Sequence, residues 1–597
     1  MGIKILRVVD IKKESNEILK LRKGKFMKNR NAKRKIIVYL LILFIIFILI
    51  MPTLYLMIFE ELEREPKVIK IKKPLKGAIQ TLKSIDEESE QYKKINILTI
   101  NDLHGSIVES EINIGAAKLG EEVKRIQKEE KNTILVGGGD LYQGTAISNL
   151  LYGKPVSEVL KVMGMKYSAI GNHEFDWGID KIKLWSESIN FLASNIIDKN
   201  TNKPVQWAKP YTIEEFEGVR VGFIGITTPE STYKTKTENI KNLEFKDPAV
   251  AASEWARYLK EEKNVDIVIV LSHLGGKQEA DGTIIGELEN LAKEAKYIDG
   301  IIGAHSHRYI AGFVNNIPIV QAGSNGRALG KLEVIIRPNG KREIKPSYDE
   351  LYKRTNSLKE DEEIKIIVHK YEEELNHILK EKIAYTDKDL THKRSVNGVT
   401  MLGQFITKSM VESSGAQVGL INSGGIRRSL NKGIITVGDM WDIMPFDNNL
   451  VTMKLRGADL KRVMEHGIMN KNVGGIQFYG LKVCYDSTKE YGNRISSMNL
   501  LDGTKVEMDK EYTVATNDFV YYKGDNYDFS GAIDFKDSKE TVRNVLIKEF
   551  KRIGEINFQY KDDTIIDKKN KIMSNQFLSL HFICQYNSKY YSYLKGA

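Results

Sequence analysis

Cysteine is close to absent: Cys484 and Cys584 are the only two in 597 residues. That excludes a disulfide-dense scaffold, and with Cys584 in a poorly patterned tail no structural disulfide is expected. Internal repeats and low-complexity tracts are missing too, which sets repeat architectures aside. Net charge is missing where a polymer-binding groove would need it. The chain carries +11, but residues 1–35 alone hold +10, which leaves +1 for the 562 residues that follow. No nucleic-acid polymer is therefore expected as a partner. What is there, 42% apolar and 28% charged residues, is the composition of an ordinary globular protein. Its length suits two to four domains at roughly 150 residues each.

The basic block precedes a stretch with no charge. Ile36 to Phe59 runs 24 residues as IIVYLLILFIIFILIMPTLYLMIF, enough for a helix to cross a hydrocarbon core of about 30 Å. Lys33, Arg34 and Lys35 come before it and Glu60, Glu61 and Glu63 after it. The positive-inside rule then leaves the N-terminus in the cytoplasm and everything beyond residue 60 outside. No small-residue cleavage site is visible. A single uncleaved anchor in the cell membrane is the expectation; secretion after signal cleavage is the alternative. Met27 and the following KNRNAKRK would themselves open such a segment, so residues 1–26 read as an extension upstream of a second candidate start.

Composition divides the rest. Residues 60–93 are rich in Lys and Glu without apolar periodicity and read as a linker. From 94 to 340, short β-rich runs alternate with helical patterns at Ala116–Glu130 and Pro248–Lys263, which predicts an α/β domain. Residues 341–384 read as a helical connector, 385–560 as a second mixed domain, and 561–597 as a tail without assigned function.

Polar residues cluster where the predicted strands end. INILTI (95–100) runs into Asp102-Leu103-His104-Gly105, and TILVGG (133–138) into Asp140. YSAIG (167–171) runs into Asn172-His173-Glu174-Phe175-Asp176, DIVIVLS (266–272) ends at His273, and GIIGA (300–304) ends in His305-Ser306-His307. Each motif alone has an ordinary explanation: a turn aspartate, a helix N-cap at Asn172, a polar strand edge at His305 and His307. Together they are harder to explain that way. Five strand ends supply carboxylate, imidazole or amide oxygen at the edge where open α/β sheets bind ligands, and five of the 10 histidines sit in them. These donors suit zinc, manganese, cobalt or iron.

The set DLHG, GGGD, GNHEFDWG, SHLG and GAHSH resembles the calcineurin-like metallophosphoesterases, specifically the 5′-nucleotidase family, over roughly residues 95–335. The resemblance implies a metallophosphoesterase β-sandwich flanked by helices, followed by a C-terminal α+β substrate-binding domain. It implies two divalent metal ions: one held by Asp102, His104, Asp140 and His307, the other by Asp140, Asn172, His273 and His305, with Asp140 shared. His307 stands at a position the family varies. His173 would serve the leaving-group oxygen, with Asp176 fixing its tautomer.

Downstream, Asn422-Ser423-Gly424-Gly425-Ile426-Arg427-Arg428 is a glycine-rich turn after an apolar run. It resembles the family's phosphate-contacting loop, with Asn422, Gly425 and Arg427 as contacts. Met444-Pro445-Phe446-Asp447-Asn448 and Lys523-Gly524-Asp525-Asn526-Tyr527 resemble its two aromatic loops, which would place a nucleobase between Phe446 and Tyr527. Two departures stand out. The second loop has Asn526 where the family has glycine, and Arg394, the candidate second phosphate contact, sits at altered spacing from Leu402-Gly403.

The resemblance implies a nucleoside 5′-monophosphate hydrolase outside the cytoplasm. The alternatives on the same fold are a 2′,3′-cyclic-nucleotide phosphodiesterase with 3′-nucleotidase activity and a nucleotide-sugar or polyphosphate hydrolase. A non-catalytic surface binding protein is the reading furthest from the motifs. Asp176-Trp177 within EFDWG favours the 5′-nucleotidase branch.

Overall fold

The computed structural model describes residues 92–110, 113–394, 398–560 and 565–567. The expected anchor at 36–59, almost all of the linker and most of the tail, Cys584 included, lie outside the described residues. The chain divides into two units, Met1–Ser89 and Glu90–Ala597, and every described residue belongs to the second. Among the described residues, no helix is long and apolar enough to cross a membrane.

Twelve strands build the two large sheets of the first half. They are β1 (Lys93–Ile100), β2 (Thr133–Gly137), β3 (Met165–Ala169), β4 (Asn190–Leu192), β5 (Tyr211–Phe216) and β6 (Val219–Thr227), then β7 (Ile267–His273), β8 (Gly300–Ile302), β9 (Tyr309–Val314), β10 (Ile317–Ala322), β11 (Leu329–Ile336) and β12 (Arg342–Asp349). One six-stranded sheet runs β12-β11-β1-β2-β3-β4 and the other β9-β10-β8-β7-β6-β5. Each has a parallel centre, such as Ile97 opposite Ile134 and Ile269 opposite Phe223; the first sheet turns antiparallel only at its β11–β12 side, the second at both edges.

Strand alternation explains how the sheets face each other. Ile95 and Ile97 of β1 pack with Phe223, Ile269 and Leu271 between the two sheets. Leu98 and Ile100 point the other way and join the core under the flanking helices Gly115–Glu129 and Lys154–Val162. The second sheet's outer face is covered by helices Pro248–Glu261 and Glu287–Glu294. Strands buried on both faces read as continuous apolar runs, which is why β6 and β7 were legible.

The connector departs from expectation in its first part. Residues 342–349 form β12, an edge strand whose side chains alternate between half-buried and exposed. REIKPSYD carries charge and a proline, which an edge strand paired on one side tolerates and a periodicity reading misses. The helical part is Glu362–Leu379. Asp361 caps it, accepting from the Ile364 N–H at 2.9 Å and pairing with Lys124 at 2.6 Å. Its buried face, with Ile364, Val368, Tyr371 and Leu375, packs back onto the first half's helical core.

In the C-terminal half a five-stranded sheet has the order Gln477–Tyr479, Val418–Ile421, Glu511–Asn517, Asn449–Arg456, Ile533–Thr541. Helices Met401–Ser414 and Val542–Ile553 cover one face, and Gly457–Gly467 covers the other. Cys484 lies half-buried on Leu481–Tyr485 with a free thiol.

Candidate functional site

The five strand ends converge. Asp102 and His104 follow β1, Asp140 follows β2, Asn172 follows β3, His273 closes β7, and His305 and His307 follow β8. Five of these residues hold left-handed backbone: Asp102 (φ 49°), His104 (φ 50°), Asp140 (φ 54°), His305 (φ 65°) and His307 (φ 56°). Non-glycine residues seldom adopt that region, and such strain gathers at functional sites. Close approach is equally deliberate at Gly171, where a Cβ would stand 2.1 Å from Asp140 Oδ1.

Ligand atoms of Asp102, His104 and His307 lie within 4.8 Å of one another, and so do those of Asp140, His273 and His305. Asp140 Oδ2 reaches both sets, 3.1 Å from His273 Nε2 and 3.9 Å from His104 Nε2. The surrounding hydrogen bonds fix which nitrogens face inward. His104 Nδ1 donates to the Gln143 carbonyl and His273 Nδ1 to the Gly138 carbonyl, each at 2.9 Å, which turns both Nε2 atoms toward the cluster. His305 instead offers Nδ1, because its Nε2 meets Glu230 Oε2 at 3.0 Å.

The donor set fits two cations. His104 Nε2 and His307 Nε2 stand 3.0 Å apart, and His305 Nδ1 and His273 Nε2 3.2 Å apart, so lone pairs converge on common points. Asn172 Oδ1 is buried without a hydrogen-bond partner, an orphaned acceptor on a residue that borders the same cavity as Asp140 and His305. Burial, reinforced by the Asp140 charge, pushes Asp102 up to about 7. Burial drives His104 down to about 3 and His307 well below its ordinary value, which keeps both rings in the neutral form a metal needs. Burial opposes charge on His273 as well, yet Asp140 and Asp102 hold it up at about 10. The cluster attracts positive charge.

His173 stands apart from both sets. Its Nδ1 meets Asp176 Oδ2 at 2.7 Å, and its backbone N–H donates to Asp140 Oδ1 at 2.9 Å. Burial works against protonation of the ring, but Asp176 and Asp140 outweigh it and raise the pKa. Glu174, the next residue, has a different part. Fully buried, it accepts the backbone N–H groups of Asp140, Leu141 and Gly171 at 2.6–2.7 Å and so ties two ligand loops together.

The C-terminal half supplies the facing wall. Asp140, Asn172, His173, Asp176, His305 and His307 share a cavity of about 940 Å³ with Arg394, Asn422, Gly425, Arg427 and Phe446. Phe446 is half-buried, its ring stacked on His173 (centroids 5.5 Å apart, 27° between planes), with the Arg427 guanidinium 5.7 Å away. Arg543, almost fully buried, sets this loop by donating to the Met444 and Phe446 carbonyls and pairing with Asp447 at 2.5 Å. Arg427 is open to the cavity yet enclosed by its walls. That enclosure and neighbouring Arg394 both disfavour its charge, a cost that an anion would relieve. Arg394 lies beside Gly424 and donates to the Asn472 carbonyl at 3.3 Å.

Tyr527 is the correction. It was expected to face Phe446 across a base, but it is 1% exposed, does not border the cavity, and packs edge-on against His466 with centroids 4.5 Å apart. Asp525 (φ 51°) and Asn526 (φ 61°) turn the chain through left-handed backbone just before it, and His466 Nε2 holds the Asp525 carbonyl at 2.8 Å. Phe519, half-buried and eight residues earlier, is the second phenylalanine on the cavity wall. Sequence reasoning also passed over Glu230, Lys234 and Thr235, which carry no motif.

The family model for calcineurin-like phosphoesterases matches residues 95–309, and that for the 5′-nucleotidase C-terminal domain matches 382–531. The chain belongs to the 5′-nucleotidase family of calcineurin-like phosphoesterases. Among similar proteins, endonuclease YhcR of Bacillus subtilis (strain 168) is 31% identical over 73% of this chain and 38% of its own length. The chain thus spans well under half of that relative. Cell wall protein Lmo0130 of Listeria monocytogenes is 26% identical over 80% of this chain and 70% of its own. The crystal structure of a 5′-nucleotidase precursor from Thermus thermophilus aligns with a TM-score of 0.70 at 25% identity, covering 80% of this chain and 99% of that one.

Proposed function

We propose that the chain hydrolyses nucleoside 5′-monophosphates to nucleoside and phosphate outside the cytoplasmic membrane. The observation that carries this reading is the single cavity shared by metal-ligand candidates, the His173–Asp176 pair, Arg427 and Phe446. Asp102, His104, Asp140 and His307 would hold one divalent ion, and Asp140, Asn172, His273 and His305 the other. When bound, two such ions lower the pKa of the attacking water and neutralise charge on the phosphoryl oxygens. His173 Nε2 then serves the departing nucleoside oxygen, donating the proton it needs, while Asp176 holds the Nδ1–H and fixes the ring's orientation. Arg427 orients the phosphate with Asn422, Gly425 and Arg394 beside it, and Phe446 offers a face for the base. The extracytoplasmic location draws on the charge-free run at 36–59 and on likeness to a relative named as a cell wall protein.

A second reading, cleavage of phosphodiesters, is favoured by one observation: a relative that is 31% identical is named an endonuclease. One substrate panel separates the two. With added Mn²⁺, turnover of AMP should exceed that of 3′-AMP and that of 2′,3′-cyclic AMP, the last followed by loss of the cyclic ester because its ring opening frees no phosphate. Faster turnover of the cyclic substrate, or cleavage of DNA without release from AMP, would replace the first reading with the second.

A further inference from the structure

The segment Glu230–Thr235 carries none of the recognised motifs, yet it touches each working part of the site. Glu230 holds the metal-ligand candidate His305 through Nε2 at 3.0 Å. Thr235 Oγ1 donates to Asp176 Oδ1 at 2.8 Å, on the carboxylate that orients His173. Between them lies Lys234, which reaches both halves of the molecule. Its backbone carbonyl accepts a long contact, 3.5 Å, from the Asn172 side-chain amide, the group whose oxygen is left without a partner. Its ammonium pairs with Asp525 Oδ1 at 2.8 Å, and the other oxygen of Asp525 accepts from the Asn422 amide at 2.7 Å. Lys234 and Asp525 are enclosed, their side chains 16% and 5% exposed.

We infer that Lys234 is a positioning residue that sets the Asn422–Arg427 loop in register with the metal-ligand cluster, acting through Asp525. A surface ion pair would contribute little. This one is shielded from water, and its acidic partner sits on strained backbone (φ 51°) and reaches the nucleotide-loop residue Asn422 directly. The inference rests on the nucleotidase reading. A nucleotide must meet the cluster with its phosphate and the C-terminal wall with its base at once, and misplacement by about 1 Å can cost on the order of 10²-fold in rate. A small aryl phosphate meets the cluster and the Asn422–Arg427 loop through its phosphate but makes no nucleoside contact. Registration should therefore matter more for AMP than for the aryl ester.

The test uses the full chain with Mn²⁺, comparing AMP with p-nitrophenyl phosphate. Lys234→Met keeps the backbone carbonyl and the aliphatic stem. It should raise the KM for AMP about tenfold or more, raise that for the aryl phosphate by clearly less, and leave bound metal within about twofold of the unaltered protein. Asp525→Asn should do the same, and the double variant should be no worse than either single one, because both remove one linkage. An unchanged KM for AMP, an equal loss on both substrates, or additive single effects would overturn the inference. If the unaltered protein releases phosphate from the aryl ester but not from AMP, the nucleotidase reading itself falls and takes the inference with it.

Discussion

Alanine at position 173 is expected to slow phosphate release from AMP by about 10²–10⁴-fold, the usual worth of a positioned general acid, with metal content unchanged. The two effects separate because of geometry. His173 Nδ1 is engaged by Asp176 at 2.7 Å and the ring stacks on Phe446, so the ring lies outside both ligand sets. Its backbone N–H donates to a ligand, Asp140 Oδ1 at 2.9 Å, and alanine keeps that bond, while the ring meets His104 only edge-on with centroids 5.4 Å apart. Metal analysis beside steady-state rates checks the separation. Loss of metal along with activity would place His173 among the ligands.

Asp140→Ala should have the larger effect: activity down by about 10³-fold or more, with both ions weakened rather than one. The carboxylate is fully enclosed, within 3.1 Å of His273 and 3.9 Å of His104, so it serves both sets at once. Its removal also leaves the N–H of His173 without its acceptor. A second measurement distinguishes lost metal from lost fold. Added Mn²⁺ should raise the melting temperature of the unaltered protein through binding to the native state and leave that of Asp140→Ala nearly unchanged. An equal rise in both would mean that Asp140 is dispensable for the metals.

How much of this was legible depended on the kind of signal. The ligand strands were legible because strands buried on both faces read as apolar runs, and the change to Asp, Asn and His at their ends is abrupt. The left-handed backbone at five of those residues left no trace in composition, since aspartate and histidine are not marked as glycine is. β12 was hidden because a charged edge strand lacks the apolar period of a core strand. Tyr527 was misplaced because residue type says what could stack, not which way a turn through Asp525 and Asn526 faces. Glu230, Lys234 and Thr235 were missed for a plainer reason. In TTPESTYKTK they look like a solvated turn, and only the fold brings them against His305, Asp525 and Asp176.

The central claim, two cations on either side of Asp140, is tested most directly by anomalous diffraction from crystals of the Mn²⁺-loaded protein. Two peaks about 3.5–4 Å apart are predicted, one beside Asp102, His104 and His307, the other beside Asn172, His273 and His305, with the Asp140 carboxylate between them. A single peak, or two peaks that do not share Asp140, would contradict it.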